Sequence, residues 1–554
     1  MKKNFVRLRW FFTMLLFVTT MIMPTMMLAQ SITPTKPKGD GKAEPYQISN
    51  AAELYWFAGL VNGTLPDGGG KDASANAILT DNITVNEGVL DAVNKGQVSE
   101  SDFIEWKPIG TYDSYDAVYT GTFDGQGHTI SGLYFNHPDA SYVGLFGYIR
   151  ANGKISNVGV SDSYFKFRMK GGGVCGKNDK DGVLQNCSNS STVIGKNQYS
   201  RTGGVCGDNS GTVRDCKNTG SVSGENFVGG VCGINLGTIK SCYNTGSVHG
   251  TDIYVGGVCG NSFRVTNTNY CYYLSDTATR GIGNLMADEK DKAEKMFKEQ
   301  FESGEMAWLL NGKGSGEQVW GQQLGIDPSP VPGSAYKVIK AAQGDNDTYW
   351  ATFSNPTNDV TLSVPSDRSL KVYNATVSGG KLTLTQRNDQ VAKEEGVLLK
   401  TDGEYVNAKA NETNELAKAS SYENHLVATP AEAKTVTAAA GCKLYRLTYN
   451  KAEKKEGLGF YLGVDDGKSL KATPGKAYLK VSENEAKDPS SAALTRSFVF
   501  GGGSETTGID EITIMGTDVQ RHGTIEGIFD LQGRKIVNPT KGIYIKNNKK
   551  VIIK

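Results

Sequence analysis

The stretch Gly172-Gly173-Val174-Cys175-Gly176 recurs as Gly203-Gly204-Val205-Cys206-Gly207, as Gly229-Gly230-Val231-Cys232-Gly233 and as Gly256-Gly257-Val258-Cys259-Gly260. A polar turn, a short apolar run, a second cysteine and a small-polar tail follow each of the first three copies. The third shows this most fully, in Ile239-Lys240-Ser241-Cys242-Tyr243-Asn244-Thr245-Gly246-Ser247-Val248. Self-similarity at a near-constant period decides architecture before any single-residue argument. Working outward, the strand positions Ile130, Ile155, Val183, Val213, Ile239 and Val265 follow one another at 25, 28, 30, 26 and 26 residues, so the period begins before the cysteines do. No glycine-free run of helical length fits between the repeats, which predicts stacked coils of a parallel β-solenoid. About six coils at roughly 4.8 Å each make a rod section of about 25–30 Å. The glycines are expected at tight corners or at positive φ. Asn178, Asn209 and Asn235 share one offset, and Asn189, Asn218 and Asn244 another. Stacked amides along the rod axis and plain turn chemistry both account for them.

Eight of the nine cysteines lie in these repeats. An even count in an exported chain favours disulfides on general grounds. The preceding, cysteine-free coil argues otherwise. Gly144-Leu145-Phe146-Gly147 aligns with Gly173-Val174-Cys175-Gly176, and Ile155-Ser156-Asn157-Val158 with Ile239-Lys240-Ser241-Cys242. A place that accepts phenylalanine or valine faces an apolar interior, where cysteine behaves as a small hydrophobe. Buried free thiols are therefore expected. Spacings of 12, 10, 10 and 12 within the units are unlike zinc sites. Cys442 stands alone and is assigned to packing.

The rest of the chain is partitioned around the repeats. Residues 1–29 read as a secretory signal peptide: Lys2, Lys3, Arg7 and Arg9 ahead of an apolar Trp10 to Met23, with cleavage near Ala29. Its loss takes the formal charge from +1 to 1 − 4 = −3 and leaves no transmembrane span in the mature chain. Residues 30–45 form a linker, and 46–118 an N-terminal cap with the first strands. Within that cap Asn50 is placed to start a helix, with Glu53 in the capping-box position and Leu54, Phe57 and Val61 on one face. Strands are expected at Ile78-Leu79 and Ile83-Thr84-Val85. The solenoid spans 119–280. Residues 281–332 are a helical cap (Asp288 to Ser303, with Met296, Phe297 and Phe301 inward, then Glu305 to Leu310 carrying Trp308) ending in the stiff linker Asp327 to Pro332. Residues 333–500 alternate short apolar runs with turns, as an antiparallel β-sandwich-like domain does. Residues 501–508 are a linker, and 509–554 a small C-terminal β module in which Ile543/Ile545 and Val551/Ile553 face each other across Asn547-Asn548.

Two resemblances follow. The repeats, with Tyr46-Gln47-Ile48-Ser49, Gly121-Thr122-Phe123-Asp124-Gly125 and Val143-Gly144-Leu145-Phe146-Gly147 ahead of them, resemble the GLUG-motif repeats of bacterial surface proteins over roughly residues 46 to 275. That family includes non-catalytic parts of some IgA-cleaving peptidases, so the likeness implies an extracellular β-solenoid and no activity. The tail Gly527-Ile528-Phe529-Asp530-Leu531-Gln532-Gly533-Arg534-Lys535, with Gly542-Ile543-Tyr544-Ile545-Lys546 and the Lys-rich end, resembles the C-terminal sorting domain of type IX secretion. It implies delivery across an outer membrane.

Composition closes off other classes. Lys+Arg (59) and Asp+Glu (58) nearly cancel, so no basic stripe invites nucleic acid, and five scattered histidines do not suggest a metal site. Neither His-Glu-x-x-His nor Gly-x-Ser-x-Gly occurs. Gly463-Val464-Asp465-Asp466-Gly467-Lys468-Ser469 is one residue short of a P-loop and is read as a hairpin turn. Asp116, Asp124 and His128 are the nearest candidates for acid–base chemistry on a solenoid face, although Asp124-Gly125 is more simply a turn and His128 a strand end. Asn178-Asp179-Lys180-Asp181-Gly182 and Asp345-Asn346-Asp347 alternate oxygen donors as calcium loops do, without the closing glutamate. No catalytic, cofactor-binding or metal residue is assigned, and no cofactor. The expectation is a mostly β, exported, non-enzymatic surface protein that binds an extracellular glycan or protein and meets the secretion machinery through its tail. A carbohydrate-active enzyme on the solenoid face and a purely structural surface protein are the alternatives.

Overall fold

Parallel coils can stack only if each strand finds its successor in register, and this chain does so five times per turn. The computed structural model describes residues 32–500, apart from 97–101, 113–116, 252, 264–266, 285–291, 314–317, 345–346, 419–423, 450–456 and 491. It also describes strand backbone at 511–517, 528–529, 535–536, 542–546 and 549–553. Two compact units result. The first comprises residues up to Lys340 with Ser363–Asp367 and Tyr405–Ala410; the second comprises Ala341–Leu362, Arg368–Glu404 and Asn411 onward.

The first unit is a parallel β-solenoid of about seven turns. Its sheets are named here I to V in the order the chain visits them. Sheet I runs from Tyr46–Ile48 through Ala77–Leu79, Thr122–Asp124 and Lys154–Ser156 to Thr268–Asn269; sheet II carries Thr129–Ser131 through Cys271–Leu274 and ends on Ala293–Met296. Sheet III holds Tyr134–Asn136 through Val248–Gly250, sheet IV Lys170–Gly172 through Val255–Gly256, and sheet V Phe146–Ile149 through Ile282–Asn284. The first rungs of sheet I therefore fall within the segment assigned to the cap.

Inward side chains form columns along the axis. Phe123, Ile155, Leu184, Val213 and Ile239 are successive register partners in sheet I, and all are fully buried. Three of the expected strand positions need correction. Val183 pairs with Lys154 and Thr212, so Leu184 takes the core place, one residue on. Ile130 belongs to sheet II, paired with Ile83 and Val160. Val265 lies outside the described residues, and Ile239 pairs instead with Thr268. A one-residue slip exchanges inward and outward faces, which is why these small differences matter.

The coil corners also differ from expectation. The residues at positive φ just before the second cysteine place are Asn157, Asn186, Asp215, Ser241 and Tyr270, with φ between 51° and 56°. None is glycine. Asn and Asp enter this region at low cost, and the stack holds Ser241 and Tyr270 there too. None of the glycines of the repeated motif is at positive φ; their role is close approach, described below.

Both ends of the core are covered. Helix α1 (Ala51–Asn62) is capped by Asn50, whose side chain accepts from Glu53 N, and it buries Leu54, Phe57 and Val61. Glu53 reaches back to Ser49 N (2.7 Å), one residue beyond the usual capping-box partner. At the other end the expected helix from Asp288 is instead the strand Ala293–Met296, paired with Cys271–Leu274, and then helix α2 (Lys298–Glu302). Helix α3 (Glu305–Leu310) is where it was expected. Tyr243, Tyr272, Met296, Phe301, Met306 and Trp320 share one cluster there, while Phe297 is exposed. The 327–332 segment is docked and not a free linker: Val331–Pro332 pairs with Trp320–Gly321, and Pro330 O accepts from the Tyr243 hydroxyl at 2.6 Å.

The second unit is antiparallel. Eleven strands form one sheet, from Ala342–Gln343 at one edge to Leu426–Ala428 at the other, and both halves contribute to a core containing Trp350, Leu384, Leu398, Tyr445, Phe460 and Leu479. Glu511–Thr517, counted with the C-terminal module, pairs with Lys381–Arg387 and Ser497–Val499 inside this sheet. The module's remaining strands make a separate four-stranded sheet in which Gly542–Lys546 pairs antiparallel with Lys549–Ile553. The segment 1–29, the linker 501–508 and the Asp530 to Arg534 turn lie outside the described residues.

Candidate functional site

Each glycine of the repeat makes room for a different neighbour. In the third copy a Cβ on Gly229 collides with the Cys232 carbonyl oxygen, and one on Gly230 collides with the Asn244 side chain. One on Gly233 comes within 2.6 Å of Thr202 N. The last contact repeats at Gly207 against Gly171 N and at Gly260 against Val228 N. Sheet IV is thus folded back over sheet V with glycine alone between the two backbones. The second glycine clears space for the Asn189–Asn218–Asn244 column, one of two amide ladders. Asn178 donates to Asn209 and Asn209 to Asn235, both at 2.8 Å; Asn189 donates to Asn218 at 2.8 Å, and Asn218 to Asn244 at 2.7 Å. These fully buried amides leave little surface for recognition, because each is spent on its neighbour.

The cysteines form two columns in the same interior. Cys175, Cys206, Cys232 and Cys259 follow Phe146 and precede Ile282 in sheet V. Cys187, Cys216, Cys242 and Cys271 occupy the other column, where Ser188 N bonds to Val158 O in the coil before. All eight are free and fully buried. Burial pushes the thiols of Cys187, Cys216 and Cys242 well above their ordinary range, so they are poor nucleophiles and poor metal ligands.

The positions that bracket each repeat form two rows, the one on sheet IV partly exposed and the one on sheet V largely buried apart from Lys177. On sheet IV and its lead-in these are Tyr142, Lys170, Arg201, Phe227 and Tyr254, stacked one per coil. On sheet V they are Tyr148, Lys177, Asp208, Ile234 and Asn261. The rows lie side by side, matched coil by coil: two tyrosines, two lysines, an ion pair, two apolar residues, then tyrosine with asparagine. The Tyr142 and Tyr148 rings stack at 5.5 Å and 5°, with the half-exposed Tyr112 against both at 5.1 and 5.6 Å. Lys170 Nζ lies 5.0 Å from the Tyr142 centroid, and Lys177 Nζ 4.8 Å from that of Tyr148. Phe227 stacks on Tyr254 at 4.8 Å.

Two carboxylates sit within this stripe. Asp208 is almost wholly buried; one oxygen is shared by Arg201 and by Lys170 at 3.3 Å, and the other has no partner among the described residues. Burial favours protonation of Asp179, but the hydrogen bond from the Tyr148 hydroxyl (2.6 Å), the Lys180 N–H and the Lys177 charge outweigh it, holding the carboxyl below its usual range. At about 4.8 Å per coil the stripe runs about 20 Å along the rod. It offers aromatic faces, cations and hydroxyls in a line.

Of the residues singled out from sequence, Asp124 and His128 belong to one turn. Asp124 accepts from Gln126 N (3.0 Å) and Asn157 Nδ2 (2.8 Å), which is turn and ladder chemistry; His128 ends a turn with its N–H on Gly125 O; Asp116 lies outside the described residues. In the first oxygen-rich loop, Asn178 belongs to an amide ladder and Asp179 to the stripe, and Asp181 takes positive φ. Residues 345–346 of the second lie outside the described residues. The P-loop-like segment is a tight turn, with Asp465 and Asp466 left-handed and Val464 bridged to Ser469, but its flanking strands pair elsewhere. The stripe's local signal lies outside the motif: its residues stand two places before and one place after each Gly-Gly-Val-Cys-Gly. Among the described residues no helix is long and apolar enough to cross a membrane.

No family model matches the chain. It is 30% identical over 191 residues to Halomucin of Haloquadratum walsbyi, covering 34% of this chain and 2% of that protein. It is 37% identical over 59 residues to a protein of Evansella cellulosilytica described as a "Putative Gly-rich membrane protein", covering 11% of this chain and 6% of the other. The chain therefore spans only a small part of the curated relatives it matches. Among solved structures, one described as a "putative immunoglobulin A1 protease from Bacteroides ovatus" aligns with a TM-score of 0.36 and 16% identity, over 54% of this chain and 95% of the other.

Proposed function

We propose that this is an exported, non-enzymatic surface protein whose solenoid binds an extended extracellular glycan along the stripe bracketing the repeats. One observation carries the reading: two rows in register for five coils, the sheet IV row partly exposed and the sheet V row largely buried beside it, in which aromatic and cationic residues recur where a merely solvated edge would carry scattered polar groups. Stacked aromatic faces and cations suit a chain of sugar rings laid along the rod axis, contacted one coil at a time. Export is supported by the signal-like N-terminus, the GLUG-like repeats and the type IX-like tail. The local match to a protein described as a membrane protein is in keeping with a surface address.

The two carboxylates of the stripe favour binding over hydrolysis. Glycoside cleavage needs one carboxyl kept protonated as an acid. Asp179 is held ionised and Asp208 lies between two cations. The test is a glycan array probed with folded full-length protein and with the Tyr142→Ala/Tyr148→Ala variant. Saturable binding that falls at least tenfold in the variant is expected. A silent array, or equal signals from both proteins, refutes the assignment.

A further inference from the structure

Sheet II presents a second, separate feature. Lys217 is the outward residue between Ser188 and Tyr243 in that sheet's register. It stands at the wall of a half-open cleft of about 420 Å³, with the solenoid on one side and α2 and the 327–331 segment on the other. Thr219 and Thr245, one coil apart, line the same solenoid face; Phe301, Leu274 and Val331 supply apolar walls. The wall is held in place by Tyr243, whose hydroxyl bonds to Pro330 O (2.6 Å) and Ser329 Oγ (3.0 Å), and whose ring packs on Phe301 at 5.5 Å.

The charges around the cavity are unevenly spent. Lys298 pairs with Glu302 at 3.5 Å. Asp327 accepts from Gln323 N at 2.6 Å. Lys217 makes no ion pair with any of the described residues. Burial lowers the proton affinity of its ammonium, and the more distant charge of Asp327 restores only part of it. A cation largely removed from water without a partner is costly, and an arriving anion removes that cost. The volume suits one small ligand. The lining asks that ligand for three things: an anionic group for Lys217, hydroxyls for Thr219, Thr245 and Ser329, and an apolar face for Phe301 and Val331. A simple fatty acid satisfies the first and third and leaves the hydroxyls unmatched.

We propose that this cavity binds one carboxylated monosaccharide unit, a hexuronate, with its carboxylate on Lys217 Nζ, its hydroxyls toward Thr219 and Thr245, and the C–H face of its ring on Phe301 and Val331. The site is independent of the stripe, so either stands if the other falls.

Calorimetry and saturation-transfer NMR on the full chain test it, with methyl β-glucuronide, methyl β-glucoside and hexanoate as probes. The glucuronide binds saturably, the glucoside at least tenfold more weakly, and hexanoate no tighter than the glucuronide. Lys217→Gln lowers glucuronide affinity at least tenfold, Lys217→Arg retains part of it, and Tyr142→Ala/Tyr148→Ala leaves it unchanged. Reductive ¹³C-methylation of the wild-type lysines gives a readout free of any folding defect in the variants, since the Lys217 signal shifts on adding glucuronide. No binding of the glucuronide, equal binding of the glucoside, tighter binding of hexanoate, loss in the tyrosine variant, or an unmoved Lys217 signal overturns the proposal.

Discussion

Gly230→Ala is the most exacting test of why the repeat is spelled as it is. The added methyl has nowhere to go: it collides with the Gly257 carbonyl oxygen and Asn244 Cγ, and comes within 2.5 Å of Asn244 Nδ2. Either the strand shifts or Asn244 leaves its ladder. Asn244 accepts from Asn218 Nδ2 (2.7 Å) and Gly246 N (3.1 Å) and donates to Gly246 O (2.9 Å), in a fully buried place. Overpacking alone costs about 1–3 kcal/mol. A buried polar group left without its partners adds about 1–3 kcal/mol. The expected loss is about 2–6 kcal/mol in urea denaturation followed by far-UV circular dichroism. Gly70→Ala serves as control: a Cβ there meets nothing within 4 Å, and the change is expected to stay within about 0.5 kcal/mol. If the clash with Asn244 is the cause, Asn244→Ala costs less in the Gly230→Ala background than in the wild type, by at least about 1 kcal/mol of coupling. A Gly230→Ala protein as stable as the Gly70→Ala control, or strict additivity in the cycle, refutes the account.

Other consequences are checked more simply. Thiol labelling of folded protein leaves the eight repeat cysteines unmodified, and unfolding without reductant exposes all eight; unreactive thiols in the unfolded chain mean disulfides and sink the packing assignment. Asp208→Ala strands Lys170 and Arg201 beside each other and costs about 3–5 kcal/mol in chemical denaturation; a loss under about 1 kcal/mol shows that the pair is not a buried bridge. The phenols of Tyr119 and Tyr243 are pushed above their usual range, chiefly by burial. A raised folded pKa gives stability that is complete below the unfolded value near 10 and is lost as pH climbs past it. Phenolate absorbance therefore lags in the folded protein and jumps on unfolding; a single titration near pH 10 with the fold intact contradicts this. For Asp179 the sign is opposite: its contribution holds above pH about 4 and disappears as pH falls through its lowered folded value, and Asp179→Asn flattens that acid limb.

The stacking was legible because it is periodic, and the cysteine interior was legible because one coil lacks cysteine. Phe146 beside Cys175 needed only an alignment of two adjacent coils. Register was not legible to better than one residue: Val183 and Leu184 are both apolar, and only the hydrogen-bond ladder decides which points inward. The corners were misassigned because glycine is the usual answer to positive φ, whereas this chain uses Asn157, Asn186, Asp215, Ser241 and Tyr270 there and keeps glycine for contact. The charged run Asp288 to Ser303 around the strand Ala293–Met296 carries helical propensity, which pairing of that strand with Cys271–Leu274 overrides. Lys217 and the cavity beside it had no local signal. They exist because the 327–331 segment, far away in sequence, lies down on sheet II.

The division of labour within the repeat explains why a site can be placed at its margins. Inside the motif every position is committed: three glycines to three close approaches, and valine and cysteine to the core. A substitution there is felt by the coils above and below, since each coil is the template for the next. The two bracketing positions touch neither core nor ladder, so they are free to differ between coils, and here they do, from Tyr142 and Tyr148 through Lys170 and Lys177 to Phe227 and Ile234. Solubility alone would place charge or small polar groups at such positions. Stacked rings and cations instead form a line with a fixed rise per coil, and the proposal of a ligand that repeats along its own length rests on that line.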